Sequence, residues 1–326
     1  MSSWGLVKSA KVSTYRFGYY QALPEGSFKG DKQLPATVVS AFYKMKSKHS
    51  ESNYMLWIRR FLERVPCHLV FFTEADFVPF VEECRKAFPE KTKIVVLPRE
   101  EWAANTAFPQ GFWESQHALD PEKNIHSPEL YKVWYQKKEF VKLAIALNPF
   151  GHTDFVWTDA GIFRDAPLVE LLAERYPVAS RIPTDRILIL NNMPFTSSDD
   201  KIHTFGTGTT SVNIQFPRDK PRIGAGVIAG SVQAWNAWNT MYDDTVKRFT
   251  QAKLFMGKDQ TIMACMALEN KSSISLLDYR QVVPNDWFYL LIYLGASEPL
   301  YRYLRSSKFP KQRISYDEMF TISHKA

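Results

Sequence analysis

Phe155-Val156-Trp157-Thr158-Asp159-Ala160-Gly161 is an apolar run that delivers a carboxylate at its end and then turns through Ala-Gly. Continuous rather than alternating apolarity predicts a strand buried on both faces, as in a mostly parallel sheet. In open α/β sheets the ligand crevice lies outside the carboxyl ends of the strands, so Asp159 is aimed at such a crevice. A Mn²⁺ or Mg²⁺ ion prefers oxygen ligands and needs only one or two carboxylates when substrate phosphates complete its shell, which makes Asp159 the candidate metal ligand. The plainer reading is an aspartate that caps the turn behind it.

Toward the N-terminus, Ala36 to Tyr43, Cys67 to Phe72 and Lys93 to Leu97 read as strands. Between them lie a helical pattern with Met55, Ile58, Phe61 and Leu62 at three- and four-residue steps, and a second helix over Glu74 to Phe88. This βαβαβ alternation predicts an α/β fold with helices on both faces of the sheet. Residues 1–35 are rich in Lys, Ser, Gly and aromatics without periodicity, an irregular basic extension ahead of one domain over 36–326. Glu101 to Ser127, with Trp102, Trp113 and several Pro and Gly, reads as a loop-like insertion of substrate-binding length.

The helix Leu130 to Asn148 leads into the strand bearing Asp159. At 100° per residue, Trp134, Lys137, Val141, Ala144 and Ile145 share one apolar stripe, whereas Lys132 and Glu139 point away. Lys137 interrupts a core face. Its ammonium must snorkel or find an anion, and two anions fit equally: the diphosphate of a donor or a nearby carboxylate. Further on, a helix near Leu168 to Arg175, short strands around Val178 and Ile187, a Gly- and Thr-rich loop from His203 to Thr210, and a strand over Arg222 to Ala229 precede helices at Val232 to Phe249 and Asp259 to Leu268. Gly224, Gly226 and Gly230 let backbone approach a ligand, here a donor sugar, or simply pack a strand against a helix. Asp259 and Gln260 open the last helix; Asp259 is placed to accept a proton from an attacking hydroxyl or bind the sugar, or else to act as an N-cap, and Gln260 to orient either partner.

Composition narrows the classes. Hydrophobic residues at 45% and charged residues at 23% predict a real core. Of the net charge of +7, residues 1–48 hold +6, eight Lys and Arg against Glu25 and Asp31. Neither a zinc-finger spacing nor an aromatic RNA-binding signature accompanies that charge, which argues against nucleic acid as a partner. Cys67, Cys84 and Cys265 show no paired spacing, and the seven histidines show none either, so each reads as structural; His324, near the C-terminus, could in principle close over a metal, although nothing in the sequence singles it out. There is no GxSxG elbow, no Walker A loop and no GxGxxG after the first strand. No apolar run reaches bilayer length, and the expectation is a soluble, cytoplasmic protein, with a removed membrane anchor left open.

Assembled, these segments resemble the HtrL/YibB-like family and, in outline, nucleotide-sugar transferases of the GT-A fold. The likeness runs from about Thr37 to about Leu294. Its carriers are Thr37-Val38-Val39-Ser40-Ala41-Phe42-Tyr43, the Trp134-x-x-Lys137 step, Asn148-Pro149-Phe150, Phe155 through Arg164, Gly224 to Gly230 and Lys258-Asp259-Gln260. The resemblance implies a GT-A-like, Rossmann-like sheet and a glycosyltransferase using Mn²⁺ or Mg²⁺ and a nucleotide diphosphate sugar. It also implies that Asp159 belongs to a degenerate DxD motif in which Trp157 stands where the first Asp would be. Ser40, Ala41, Phe42 and Tyr43 would receive the nucleotide, with Lys137, Trp157, Thr158, Gly224 and Gly226 against the donor. Arg164 would neutralise phosphate or pair with Asp165. The expected acceptor is a glycan, a lipid-linked glycan or a protein. Two rivals remain, a nucleotidylyltransferase and a catalytically silent sugar- or nucleotide-binding module of the same fold.

Overall fold

In the computed structural model, which describes residues 35–295 and 297 apart from 48, 174, 194, 196–198, 200–202, 206–209, 213–220 and 279–285, the chain enters through strand β1 (Thr37–Ala41) and helix α1 (Glu51–Arg64). Ser50 caps α1 by accepting a hydrogen bond from Asn53 N, one of the orphan donors of a helix start. The βαβαβ opening continues with β2 (His68–Thr73), α2 (Val78–Arg85) and β3 (Thr92–Val96). The helix expected over Glu74 to Phe88 is shorter, because Ala75–Phe77 forms a 3₁₀ turn and Pro79 fixes the α-helix start behind it.

The segment expected as a loop-like insertion is helical instead: α3 (Ala103–Thr106) and α4 (Phe112–Leu119) lie within it. Side-chain to backbone contacts, not periodicity, hold them there. Trp113 Nε1 donates to Ala104 O at 2.7 Å, and Gln116 Oε1 accepts from Met256 N at 2.7 Å. Helix α5 (Pro128–Leu147) starts with Ser127 as cap and Pro128 in the first turn, and stops where Asn148 adopts φ +30°.

Strand β4 (Asp154–Thr158) follows within the boundaries read from the sequence, then α6 (Ala166–Ala173) and β5 (Ile187–Asn191). No strand forms at Val178, where Ala179–Arg181 is a 3₁₀ turn. The stretch expected as a Gly- and Thr-rich loop carries strand β6 (His203–Phe205), which pairs antiparallel with β7 (Thr210–Val212) in a separate ribbon. The remaining elements are β8 (Ile223–Ser231), α7 (Val232–Gln251), α8 (Asp259–Glu269), β9 (Ile274–Asp278) and α9 (Tyr289–Leu294). Residues 1–34 of the expected extension and His324 lie outside the described residues.

The main sheet has the order β3-β2-β1-β4-β8-β5-β9 and is parallel except for β8, which runs antiparallel to β4 and β5. Alternate residues feed two cores. Val38, Leu69, Phe71, Val156 and Leu188 pack with α1, α2, α6 and α9 on one face; Val39, Val70, Phe72, Phe155 and Ile189 pack with α3, α4, α5, α7 and α8 on the other. Helices on both faces explain why the strands read as continuous apolar runs, each fully buried Val, Leu, Ile or Phe contributing about 1.5–3 kcal/mol. The fold is α/β with a mostly parallel sheet. From β1 the chain winds outward through β2 and β3, then returns to β4 on the opposite side of β1, so the β1/β4 crevice is the topological switch point.

Candidate active site

Four elements converge at the carboxyl edge of the sheet. Strand β4 ends at Asp159, whose N–H donates to Gly226 O at 2.8 Å and so ties it to the beginning of antiparallel β8. Helix α5 contributes Lys137 from its buried face, and the first turn of α8 contributes Asp259. Sequence-distant residues thus meet.

Lys137 is the hub. Its ammonium lies 3.2 Å from Asp159 Oδ1 and 3.1 Å from Asp259 Oδ2, and donates to Ala225 O at 3.1 Å. All three contacts lie inside the protein, so of the two anions open in the sequence, carboxylates are the ones present. The Asp259 contact is an ion pair without in-line hydrogen-bond geometry, which leaves Oδ2 without a directed donor despite its full burial. Burial alone would depress the Lys137 pKa; Asp159 and Asp259 together outweigh it, and the ammonium ends above its ordinary value. Burial also raises the Asp259 carboxyl, with Lys137 pulling the other way and Asp159 adding to the rise.

Asp159 differs from Asp259 in access. Its side chain is 41% exposed, against 2% for Asp259. Trp157, itself buried, donates its indole Nε1 to Asp159 Oδ1 at 2.8 Å and stacks its ring on Phe140. Oδ1 is therefore fixed by an indole and an ammonium, while no hydrogen bond reaches Oδ2 among the described residues. A Cβ built on Gly226 would lie 3.6 Å from that free oxygen, so glycine keeps the approach open. One unencumbered carboxylate oxygen on an open side fits a divalent cation whose remaining ligands are phosphate and water.

The other expected residues divide. Ser40 is fully buried and donates its hydroxyl to Thr158 O at 2.7 Å; Tyr43 is buried against Trp102 and Phe140 and donates to Leu97 O. Both are closed to a ligand, and of that edge Ala41 and Phe42 are half-buried. Thr158 is buried and shares a hydrogen bond with Tyr176 OH. The Cβ position of Gly224 points at Leu190 and Asn192, and that of Gly230 at Ile187 and Ala234, so Gly230 serves packing. Lys258, not Asp259, occupies the N-cap position of α8; Asp259 sits one residue inside and accepts from Gln260 N at 2.8 Å. The Asp259 carboxylate faces Lys137 rather than a cleft, which removes it from direct reach of an acceptor hydroxyl. Gln260 Nε2 donates to Ile223 O at 2.7 Å.

Arg164 neither pairs with Asp165 nor has a carboxylate at salt-bridge distance among the described residues; Asp165 Oδ1 accepts from Leu168 N instead. The guanidinium lies over Trp57 at 4.3 Å and Phe288 at 5.3 Å, with Nε on Gly161 O and one terminal nitrogen 3.4 Å from His49 Nε2. Burial lowers its pKa, although the group stays cationic.

Two features escaped the sequence reading. Asn192, half-buried beside Gly224, has both amide atoms shielded from water and without a partner; a lone Asn after a strand gives no signal. Asp120, Glu122 and His126 offer ligand atoms within 4.8 Å of one another and could hold a divalent cation. Their D-x-E-x-x-x-H spacing was the available signal. That set is engaged internally, with Asp120 Oδ2 on His126 Nδ1 at 2.8 Å and Tyr131 OH at 2.6 Å, and Glu122 on Lys258 at 2.5 Å. A cation there displaces Lys258 and the imidazole contact, whereas Asp159 Oδ2 displaces nothing.

No family model matches the sequence, and no curated protein matches it. Among solved structures, mouse xyloside xylosyltransferase 1 in its apo form is similar, at 13% identity and a TM-score of 0.43, covering 81% of this chain and 94% of that one. The PaToxG glycosyltransferase shares 9% identity with a TM-score of 0.28, covering 90% of this chain and 86% of its own. Likenesses this loose establish neither a shared fold nor a shared activity.

Proposed function

We propose that this chain is a metal-dependent glycosyltransferase of GT-A type, moving a sugar from a nucleotide diphosphate donor to a hydroxyl of a glycan, a lipid-linked glycan or a protein. The observation that carries the reading is the split environment of Asp159. One carboxylate oxygen is locked by Trp157 and Lys137, and the other is left free at the carboxyl edge beside the β1/β4 switch point. The motifs that resemble the HtrL/YibB-like family support the same reading.

In this scheme Asp159 Oδ2 would hold a Mn²⁺ or Mg²⁺ ion, which supplies Lewis-acid stabilisation of the departing diphosphate. Trp157 and Lys137 keep the carboxylate in one orientation, so no reorganisation is needed when charge develops. Asp259 serves as the anchor of Lys137. Arg164, a cation lacking a carboxylate partner among the described residues, is available to phosphate oxygens. Asn192 offers an amide oxygen and two N–H donors to sugar hydroxyls, which would satisfy its orphaned atoms.

The test is to incubate the full-length protein with a panel of nucleotide diphosphate sugars and Mn²⁺ and follow donor breakdown. One donor should be consumed slowly by water, and Asp159→Asn should stop this while leaving the protein folded. Folded wild-type protein that consumes no donor, or a variant that retains activity, contradicts the proposal; the first outcome favours a silent binding module.

A further inference from the structure

A cleft flanks the other side of the first turn of α8. It lies between the end of α4, Arg222 just before β8, and the half-buried side of the first turns of α8, and is lined in part by Glu122, Arg222, Phe255, Lys258, Gln260 and Ala264. Its walls alternate in character. Phe255 gives a flat apolar surface, Glu122 and Lys258 face one another in an ion pair at 2.5 Å, and Gln260 has spent one N–H on Ile223 O, which leaves its amide oxygen.

Arg222 supplies a second kind of observation. Its side chain is buried, 6% exposed, and its terminal nitrogen is 3.0 Å from Asp199, yet Nε is shielded from water and has no partner. A buried donor without a partner is destabilising unless something satisfies it. Both cations of the cleft already have carboxylate partners, so the wall offers no net positive charge to an anion. It offers hydrogen-bond donors and acceptors arranged around one aromatic ring, which suits a neutral ring with hydroxyls at its rim and C–H groups on its face.

Resting on the sugar-transfer reading above, we infer that this cleft is the acceptor subsite and takes a neutral, uncharged sugar ring. It shares the first turn of α8 with Asp259, so an acceptor seated there stands one residue along the chain from the Lys137 hub. Arg222 and Lys258 contact the ring's hydroxyls, Phe255 packs on its face, and Ala264 sets the depth. This accounts for features the donor side leaves unused.

The experiment is saturation-transfer difference NMR on the full-length protein with neutral methyl glycosides (glucoside, galactoside, mannoside and xyloside), and with methyl glucuronide as the anionic control. At least one neutral glycoside should show saturation. Ala264→Phe, which fills the cleft, should weaken that binding at least tenfold, as should Lys258→Met at the rim, a milder change should the first variant fail to fold. Both variants should keep the thermal shift caused by nucleoside diphosphate with Mn²⁺. Equal glycoside signals in wild type and Lys258→Met, no neutral signal in the wild type, or binding of the glucuronide alone would overturn the inference. A wild type that binds glycosides in the cleft but gives no nucleotide shift would instead overturn the sugar-transfer reading.

Discussion

Lys137 and Lys138 are consecutive residues of α5, both nearly sealed from water, and they differ in what they touch. Lys138 points into the seam between α5 and α7, with its ammonium over the rings of Tyr135 at 4.5 Å and Tyr242 at 5.7 Å and ion pairs to Asp243 at 2.9 Å and to Glu139. Its partners lie on helices whose other faces meet solvent. Lys137 points to the sheet's carboxyl edge and joins two carboxylates from separate elements, one partly exposed at a strand end and one fully buried. Burial of a lysine is therefore not the mark of a site. What separates the two is whether the partner stands at a strand end where the fold opens.

The largest expected effect separates the pair directly. Lys137→Met leaves Asp259 as a buried charge without compensation and should cost about 3–5 kcal/mol of stability. Lys138→Met loses two cation–π contacts and the pairs to Glu139 and half-exposed Asp243, but strands no fully buried carboxylate, and should cost about 1–2 kcal/mol. Chemical denaturation of both variants decides the matter, and equal losses would erase the distinction.

The partner carboxylates sharpen it. Asp159→Asn should reduce donor breakdown by about 10³-fold or more with little change in melting temperature, because the lost interaction is with a reacting charge. Asp243→Asn should leave turnover unchanged. Asn192→Leu comes next in size: with two orphaned polar atoms removed, stability should hold or rise by about 1 kcal/mol, whereas turnover should drop about tenfold. A loss of stability would show that the amide is satisfied by the fold itself.

The smallest effect is in pH. Burial raises the Asp259 pKa, so its folded form binds a proton more readily than its unfolded form. Its contribution to stability is full below the ordinary carboxylate value and is lost as pH rises through the raised one. Turnover should run the other way, since protonation of Asp259 releases Lys137. Activity should fall on acidification with a midpoint above the ordinary carboxylate range, and Asp259→Asn should flatten that limb of the pH profile.

Much of the Lys137 environment was legible in the sequence. Strand β4 was marked by a continuous apolar run, and the lysine betrayed itself by interrupting a helical stripe, because periods of 2 and 3.6 record burial directly. Strand β8 was found, but its antiparallel direction was not, since alternation carries no sign of direction. That direction is what brings Gly226 and Ala225 to Asp159. Helices α3 and α4 are too short for a periodic signature and are held by Trp113 tying one to the other and by Gln116 reaching distant backbone. The roles expected for Ser40 and Tyr43 met side chains already bonded to neighbouring strands and loops, and the His126 contacts depend on a turn that spacing alone does not define.

The most direct measurement is the melting temperature of the full-length protein with nucleoside diphosphates, with and without Mn²⁺, in wild type and Asp159→Asn. A ligand that binds only the native state raises it, by about 2.7 kcal/mol of stability at a hundredfold excess over Kd. A nucleoside diphosphate should stabilise the wild type only when Mn²⁺ is present, and the variant not at all. Stabilisation that ignores Mn²⁺, or that survives loss of the Asp159 carboxylate, would contradict the assignment of that oxygen to the cation.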